Sequence, residues 1–88
     1  MTSLGSLSTE DFLSVVGQRV RRRRTALRMS RKRLAEISGV SERYLAQLEA
    51  GQGNMSIALL RKVTIAMSLP LGELMAEERS QMRQPEPV

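Results

Sequence analysis

Apolar residues recur every three or four positions along most of the chain, a spacing typical of α-helices. The first such stretch follows Ser8, and Thr9, Glu10 and Asp11 come directly after this serine, so Ser8 is a predicted N-cap before an acidic first turn. We expect this helix to reach about Arg28. Its apolar residues, which fall within about 60° of one another around the helix axis, are Leu13, Val16, Val20 and Leu27. Arg24 lies on the same stripe and therefore needs a partner.

Two short helices follow the first. Ser30 is the predicted N-cap of a helix over residues 31–38, and Ser41 that of a helix over residues 42–50, which Gly51 closes. The inward residues of the second helix are Leu34, Ala35 and Ile37.

The turn between these two helices carries the strongest local signal. Gly39 suits the left-handed conformation that ends a helix, Val40 can enter the core, and Ser41 caps the next helix. A short helix, a three-residue turn that begins with glycine and a second short helix form the pattern of a helix-turn-helix.

Two further helices complete the pattern. Ser56 is the predicted cap of a fourth helix that reaches about Ser68, and Pro70 marks a short fifth helix. The inward residues of both are Ile57, Leu60, Val63, Met67, Leu71, Leu74 and Met75. No segment alternates as a strand does, so the sequence predicts an all-α domain of five helices.

Length and composition limit what this domain can do. The chain has 88 residues and no Cys or His, which predicts one domain over residues 9–79, a flexible segment over 1–8 and a polar, Pro-containing, linker-like tail over 80–88. Without Cys, His or paired carboxylates in a likely cleft we expect no enzyme, no metal and no cofactor. No apolar run approaches a membrane span and no secretory signal is visible, so a cytoplasmic protein is expected.

Charge is unevenly distributed along the chain. The formal net charge is +5, and the segment from residue 19 to residue 33 holds nine basic residues and no acidic one. They are Arg19, Arg21, Arg22, Arg23, Arg24, Arg28, Arg31, Lys32 and Arg33. Such a run indicates a polyanionic partner, either nucleic acid or an anionic membrane surface, although a solvated helix face also accounts for it.

The third helix carries side chains suited to reading DNA. Leu45 and Leu48 define its buried side, with Glu42 and Tyr44 on the flanks. The opposite side carries Arg43, Ala46, Gln47 and Ala50. Arginine can bind guanine O6 and N7, and glutamine can bind adenine N6 and N7, in the major groove. By itself this helix could equally be a surface helix with incidental polar groups.

Two charges fall on the inner faces of different helices. Glu49 lies beside the buried leucines of the third helix, and Arg24 lies on the apolar stripe of the first. Because an unpaired buried charge costs several kcal/mol, we predict an Arg24–Glu49 ion pair between the helices. The alternative is that both side chains reach water.

Two segments are predicted to contact DNA phosphates. Gln52, Gly53 and Asn54 lead into the fourth helix, whose first N–H groups have no partners within the helix. Arg28, Arg31 and Lys32 surround the start of the second helix and would meet the other side of the groove. A plain connecting loop is the alternative for the first segment.

Residues 16–74 resemble the phage-repressor (Cro/repressor-type, xenobiotic-response-element) helix-turn-helix family, over about two thirds of the chain. The segment "SLPLGEL" and several marks in the family's order carry the resemblance: Arg24, Leu34, Ala35, Gly39, Val40, Ser41, Leu45, Leu48, Glu49 and Gly51. The resemblance implies a five-helix, lambda-repressor-like DNA-binding domain. It also implies a transcriptional regulator, a repressor in our interpretation, that binds a palindromic double-stranded DNA operator as a homodimer.

The resemblance also implies roles for individual positions. The positions that match base contacts are Arg31, Glu42, Arg43 and Gln47. Those that match phosphate contacts are Arg24, Ser30, Gln52, Gly53 and Asn54, and we count Arg28, Lys32 and Tyr44 as flanking contacts. The chain departs from the family pattern at Met55, where Pro is usual, at Thr64, where Ala is usual, and at Glu42, which puts a carboxylate at a reading position.

A narrower resemblance concerns the segment "SERYLAQLEAGQGN". It is similar to the DNA-binding half of regulators that carry a C-terminal shikimate-kinase-like domain and respond to benzoyl-CoA. It implies that an effector-binding domain is missing from this chain.

Two other classes of function fit parts of the sequence. A protein-interaction module, such as an antitoxin-like or adaptor domain, would use the excess apolar residues Leu59, Ile65, Leu71 and Met75. The same surface serves a homodimer, whose predicted interface is Leu59, Pro70, Leu71 and Met75. Binding of RNA or of a membrane surface needs stacking aromatics or a basic amphipathic helix, and Phe12 and Tyr44 are too few.

Overall fold

Serine hydroxyls begin four of the five helices. In the computed structural model, which describes residues 7–52 and 55–76, each of these serines accepts a hydrogen bond from the backbone N–H three residues later. The N···Oγ distances lie between 2.9 and 3.3 Å at Ser8, Ser30, Ser41 and Ser56. Each bond satisfies an N–H group that has no partner within its own helix, so all four predicted caps are confirmed.

The chain forms α1 (Thr9–Ala26), α2 (Arg31–Ser38), α3 (Glu42–Glu49), α4 (Ile57–Ala66) and α5 (Leu71–Met75). The described residues contain these five helices and no strand, which confirms the all-helical prediction. Within the same residues no helix has the length and apolar character needed to cross a membrane. Most of the predicted N-terminal segment and the whole of the predicted tail lie outside the described residues, and the domain boundaries remain predictions.

Left-handed residues follow four of the five helices, α1 to α4. Gly39 (φ 78°) follows α2 and Gly51 (φ 72°) follows α3, as the sequence predicts. The predicted ends of α1 and α4 were two residues too late, because Arg28 (φ 59°) and Ser68 (φ 52°) take the same conformation without being glycine. After α1, the N–H of Met29 bonds the carbonyl of residue 24 at 3.1 Å, and α4 ends with the same pattern. The predicted end of α3 was one residue late.

The core draws on all five helices and on the turn residue of the helix-turn-helix. Its members are Val16, Val20, Leu34, Val40, Leu45, Leu48, Leu60, Val63, Met67 and Leu74. Thr64 is also buried, and its hydroxyl donates to the carbonyl of Arg61 at 3.0 Å, so the departure from alanine at this position leaves no unsatisfied polar group.

Three predicted inward residues are exposed in the structure. Leu27 is 38% exposed because α1 ends just before it. Ile37 is 45% exposed on the last turn of α2, and Ile57 is 64% exposed at the first residue of α4. Both isoleucines lie at helix ends, about 60° or more around the axis from the centre of the buried side. The prediction that Leu27, Ile37 and Ile57 are buried was therefore wrong.

Gly17 allows α1 to approach α3 closely. A Cβ added at this position would lie 2.8 Å from the carbonyl oxygen of Glu49 and would also overlap the carbonyl oxygen of Leu48. Both obstacles are backbone atoms, so no side chain can move aside to make room. The absent side chain of Gly17 therefore sets the distance between α1 and the end of α3.

Candidate nucleic-acid interface

The face of α3 opposite the core is open. Leu45 and Leu48 are almost fully buried on one side of the helix, and Glu42, Arg43 and Gln47 are exposed. With one face held in the core, α3 presents one acidic, one basic and one amide side chain on the surface. These are three of the four residues expected to contact bases.

A buried ion pair holds α3 against α1. The Arg24 Nε donates to Glu49 Oε2 at 2.6 Å and Nη2 donates to Oε1 at 3.0 Å, while the two side chains are only 10% and 4% exposed. The third nitrogen, Nη1, donates to the carbonyl of Met29 at 2.9 Å. The hydrogen bonds with Glu49 raise the pKa of Arg24 above its usual value, so the guanidinium stays charged despite its burial.

The same carboxylate also reaches the fourth expected base-contacting residue. Arg31 Nη2 lies 3.5 Å from Glu49 Oε1, and the Arg31 side chain remains 42% exposed. Because Arg24 already compensates the charge of Glu49, Arg31 keeps its positive charge available at the surface. The structure therefore brings Arg31, at the start of α2, next to the end of α3.

Two residues expected to contact DNA, Arg24 at a phosphate and Tyr44 as a flanking contact, point inward. All three guanidinium nitrogens of Arg24 have partners within the protein. The Tyr44 hydroxyl is buried and finds no hydrogen-bond partner among the described residues. Since neither side chain presents its polar atoms at the surface, we assign both interior positions and leave them out of the proposed DNA contacts.

Burial raises the pKa of Tyr44, because it disfavours the phenolate. The neutral form is thus preferred in the folded state, and the resulting stability is complete below about pH 10, the unfolded pKa, and is lost as the pH rises above it. Tyr44→Phe should remove this alkaline loss. At neutral pH it should raise the free energy of unfolding by about 1 kcal/mol, since no buried hydroxyl is left unsatisfied.

Urea denaturation of the parent protein and Tyr44→Phe at neutral pH and above pH 10 measures both effects. Leu59→Met, a volume-conserving change of another half-buried residue, is the control for repacking. If the difference in free energy of unfolding between the parent and Tyr44→Phe is the same at both pH values, the hydroxyl is not buried.

The remaining predicted phosphate contacts lie at the surface where the structure describes them. Arg28, Ser30 and Lys32 are exposed around the turn between α1 and α2, and Gln52 is exposed after α3. Gly53 and Asn54 lie outside the described residues. The predicted phosphate contacts that the structure describes therefore lie around the start of α2 and just after the end of α3.

The basic run divides between the interior and the surface. Arg19 Nη1 donates to the carbonyls of Leu74 and Ala76 at 2.9 and 2.5 Å, and Arg23 Nε donates to the carbonyl of Met67 at 3.0 Å. These arginines of α1 thus bind the ends of α4 and α5, where unpaired carbonyls favour a cation. The sequence pattern of α1 does not predict this role. The one available signal was that α4 and α5 have no basic residue in their own last turns.

The predicted dimer interface occupies a partly open edge. Leu59, Leu71 and Met75 are half-buried and Pro70 is exposed.

No cluster of three or more potential metal-binding side chains occurs within residues 7–52 and 55–76.

Comparison with known proteins identifies the family to which this arrangement of helices belongs. The family described as helix-turn-helix matches residues 20–74, which include the last two turns of α1, all of α2, α3 and α4, and most of α5. The chain belongs to the helix-turn-helix family. A curated relative of the helix-turn-helix chain is an uncharacterized transcriptional regulator in the ATPase CF(0) region of Rhodospirillum rubrum, 39% identical over 56 residues. The match covers 64% of this chain and 52% of the relative, so the chain spans about half of the relative's length.

Solved structures share the helix-turn-helix fold. The restriction-modification controller protein C.AhdI from Aeromonas hydrophila is 37% identical with a TM-score of 0.68, covering 70% of this chain and 94% of its own. The clp gene regulator ClgR from C. glutamicum is 30% identical with a TM-score of 0.68, covering 73% and 82%. The hypothetical transcription factor NHTF from Neisseria, 19% identical with a TM-score of 0.74 over 85% and 84%, shows the fold alone. The protein has the fold of helix-turn-helix transcriptional regulators.

Proposed function

We propose that the protein binds double-stranded DNA sequence-specifically and regulates transcription, with α3 reading the major groove. The observation that carries this proposal is the exposed pair Arg43 and Gln47 on a helix whose other face is locked in the core. An α-helix fits the major groove of B-DNA, and both side chains end in groups that can make paired hydrogen bonds to a base edge. The family membership and the regulator relatives support the same function.

The residues proposed to contact bases differ in the base that each can bind. Arg43 suits guanine and Gln47 suits adenine, at about 1–3 kcal/mol of discrimination for each good pair. Glu42 can accept from cytosine N4 or orient Arg43. Arg31, placed beside Glu49, would reach a base edge at the border of the site.

Phosphate contacts would set the register of α3 without reading sequence. We assign them to Arg28, Ser30 and Lys32 on one side of the groove. On the other side the start of α4 and the preceding residues, Gln52, Gly53 and Asn54, would bind the backbone through N–H groups.

The finer proposal is a repressor that binds a palindromic operator as a homodimer, with half-sites about one DNA turn apart. Leu59, Pro70, Leu71 and Met75 would form the dimer contact, because they are apolar residues at a partly open edge of α4 and α5. The narrower likeness to benzoyl-CoA-responsive regulators depends on the α3 segment alone. The relatives above lend it no support, and the proposal does not include an effector domain.

A gel-shift series with two alanine variants tests the division of roles. Arg43→Ala should relax preference at one operator position by about 1–3 kcal/mol, whereas Lys32→Ala should weaken binding to all sequences alike and reduce the salt dependence. DNA containing the native promoter and scrambled DNA of equal length are the two substrates. If both variants lose the same affinity on both DNAs, the assignment of base reading to α3 is wrong.

A further inference from the structure

The exposed side of α4 has a pattern that neither the core nor the proposed DNA interface uses. Ile57 and Ile65 are 64% and 61% exposed, and Arg61 lies between them, also exposed. Residues four apart form a ridge along a helix surface. This ridge is therefore two large aliphatic side chains separated by a cation.

A groove runs beside this ridge. The neighbouring row of α4 consists of Ala58, Lys62 and Ala66, whose small residues leave a low floor on either side of the lysine. Beyond it stands Ile37 of α2, 45% exposed. The resulting α2–α4 groove has a volume of about 400 Å³ and is lined by Ile37, Ser38, Lys62, Ile65 and Ala66.

The groove is apolar with a cationic rim. Two isoleucines form its walls, and Lys62 and the nearby Arg61 supply positive charge. α4 contains no acidic residue, and the one carboxylate of α2, Glu36, lies 3.4 Å from Arg33 on its own helix. Among residues 7–52 and 55–76, no carboxylate forms an ion pair with Lys62 or Arg61.

We propose that the α2–α4 groove binds an acidic amphipathic helix of a partner protein. One aliphatic side chain of that helix would enter the groove between Ile37 and Ile65, and a second would cover Ile57. Since Ile57 and Ile65 are eight residues apart, about 12 Å along the axis, the partner needs apolar residues seven or eight positions apart. Between them it needs Asp or Glu, placed to meet Arg61 and Lys62.

Charge argues against a second copy of this chain in the groove. A two-fold contact centred on the α2–α4 groove would bring Arg61 and Lys62 of the two copies close together, whereas the dimer contact proposed above at the edge of α4 and α5 is formed by apolar residues. A two-fold contact at the groove would bury like charges next to each other, whereas an acidic helix would neutralise them.

The location allows DNA and the partner to bind together. Arg31 and Lys32 lie on the first turn of α2, while Ile37 and Ser38 lie on its last turn, roughly 9 Å further along the helix. Ile65 and Ala66 similarly lie at the end of α4, away from its proposed phosphate-binding start. The second contact, at the first residue of α4, uses the exposed side chain of Ile57 and not the backbone N–H groups proposed to bind phosphate. The α2–α4 groove thus adds a contact to a partner protein at the end opposite the proposed DNA contacts.

The test uses a synthetic helical peptide with leucines eight residues apart and glutamates between them. It is titrated into the ¹⁵N-labelled full chain and followed by NMR. We expect chemical-shift changes at Ile37, Ser38 and along α4, and at least about tenfold weaker binding to Lys62→Glu and to Ile65→Ser. A peptide with lysine in place of glutamate should bind Lys62→Glu better than the parent protein. All altered residues are exposed, so the variants should keep the parent's thermal midpoint.

Lys32→Glu is the matched control, since it makes the same charge change at the other end of the basic surface. It should lose DNA affinity and keep peptide binding, while Lys62→Glu should do the reverse. Peptide shifts confined to α3, or equal losses from the two charge reversals, would overturn the proposal and leave the DNA-binding function standing. A concentration-dependent dimer that Ile65→Ser dissociates would also overturn it, because the groove would then be a contact between copies.

Discussion

Replacing Arg24 by alanine is expected to lower the free energy of unfolding by roughly 3–5 kcal/mol. The change leaves the Glu49 carboxylate buried, at 4% exposure, with only the more distant and more exposed Arg31 nearby. It also removes the donor that holds the Met29 carbonyl at the turn between α1 and α2. Since small domains have about 5–15 kcal/mol of stability in total, we expect a large fall in the thermal midpoint.

Urea denaturation and thermal unfolding measure this loss. Arg22→Ala is the matched control, because Arg22 lies on the same helix and its side chain is exposed. That variant should change stability by no more than about 0.5 kcal/mol. Arg24→Lys should fall between the two, since lysine keeps the charge but cannot make the paired bonds to Glu49 and reach Met29 as well. An Arg24→Ala protein as stable as Arg22→Ala would show that the ion pair is not buried.

The parts of the fold that local chemistry determines could be predicted from the sequence. Ser8, Ser30, Ser41 and Ser56 each precede an apolar helical pattern, and a serine hydroxyl at that place bonds an N–H of its own helix. The left-handed residue at Gly39 was predictable for the same reason, because glycine adopts that conformation without steric cost.

What depends on contacts between helices was harder to predict. The hydrogen bonds of Arg19 and Arg23 depend on where α4 and α5 end in space, and the periodicity of α1 carries no such information. Ile37 and Ile57 lie at the margin of the inward spacing, and the structure leaves both side chains exposed. Spacing gives the direction of a side chain, and the neighbouring helix decides whether that direction is buried.

The candidate site shows the same division. The outward placement of Arg43 and Gln47 follows from the helical wheel of α3 once Leu45 and Leu48 are inside. The pairing of Arg24 with Glu49 was predicted because each is a charge on an inner face. The burial of the Tyr44 hydroxyl was not predicted, since a flanking position on the wheel fits both solvent and interior.

Gly17→Ala is expected to destabilise the protein by about 3 kcal/mol through overpacking, although alanine by itself favours a helix over glycine by about 1 kcal/mol. The added methyl group would lie 2.8 Å from the carbonyl oxygen of Glu49 and 3.0 Å from its carbonyl carbon. α1 and the end of α3 would have to separate. That movement stretches the Arg24–Glu49 pair and shifts the surface that carries Arg43 and Gln47.

Gly72→Ala is the matched control, because a Cβ at Gly72 in α5 meets nothing within 4 Å. Helix propensity then acts alone, and we expect that variant to be as stable as the parent protein or more stable by up to about 1 kcal/mol. The two substitutions thus have expected effects of opposite sign from the same chemical change. Urea denaturation gives both values, and a Gly17→Ala protein that gains stability as Gly72→Ala does would contradict the close approach of α1 to α3. A loss at Gly17 that shrinks when Arg24→Ala is already present would show that the close approach and the ion pair stabilise one joint between the same two helices.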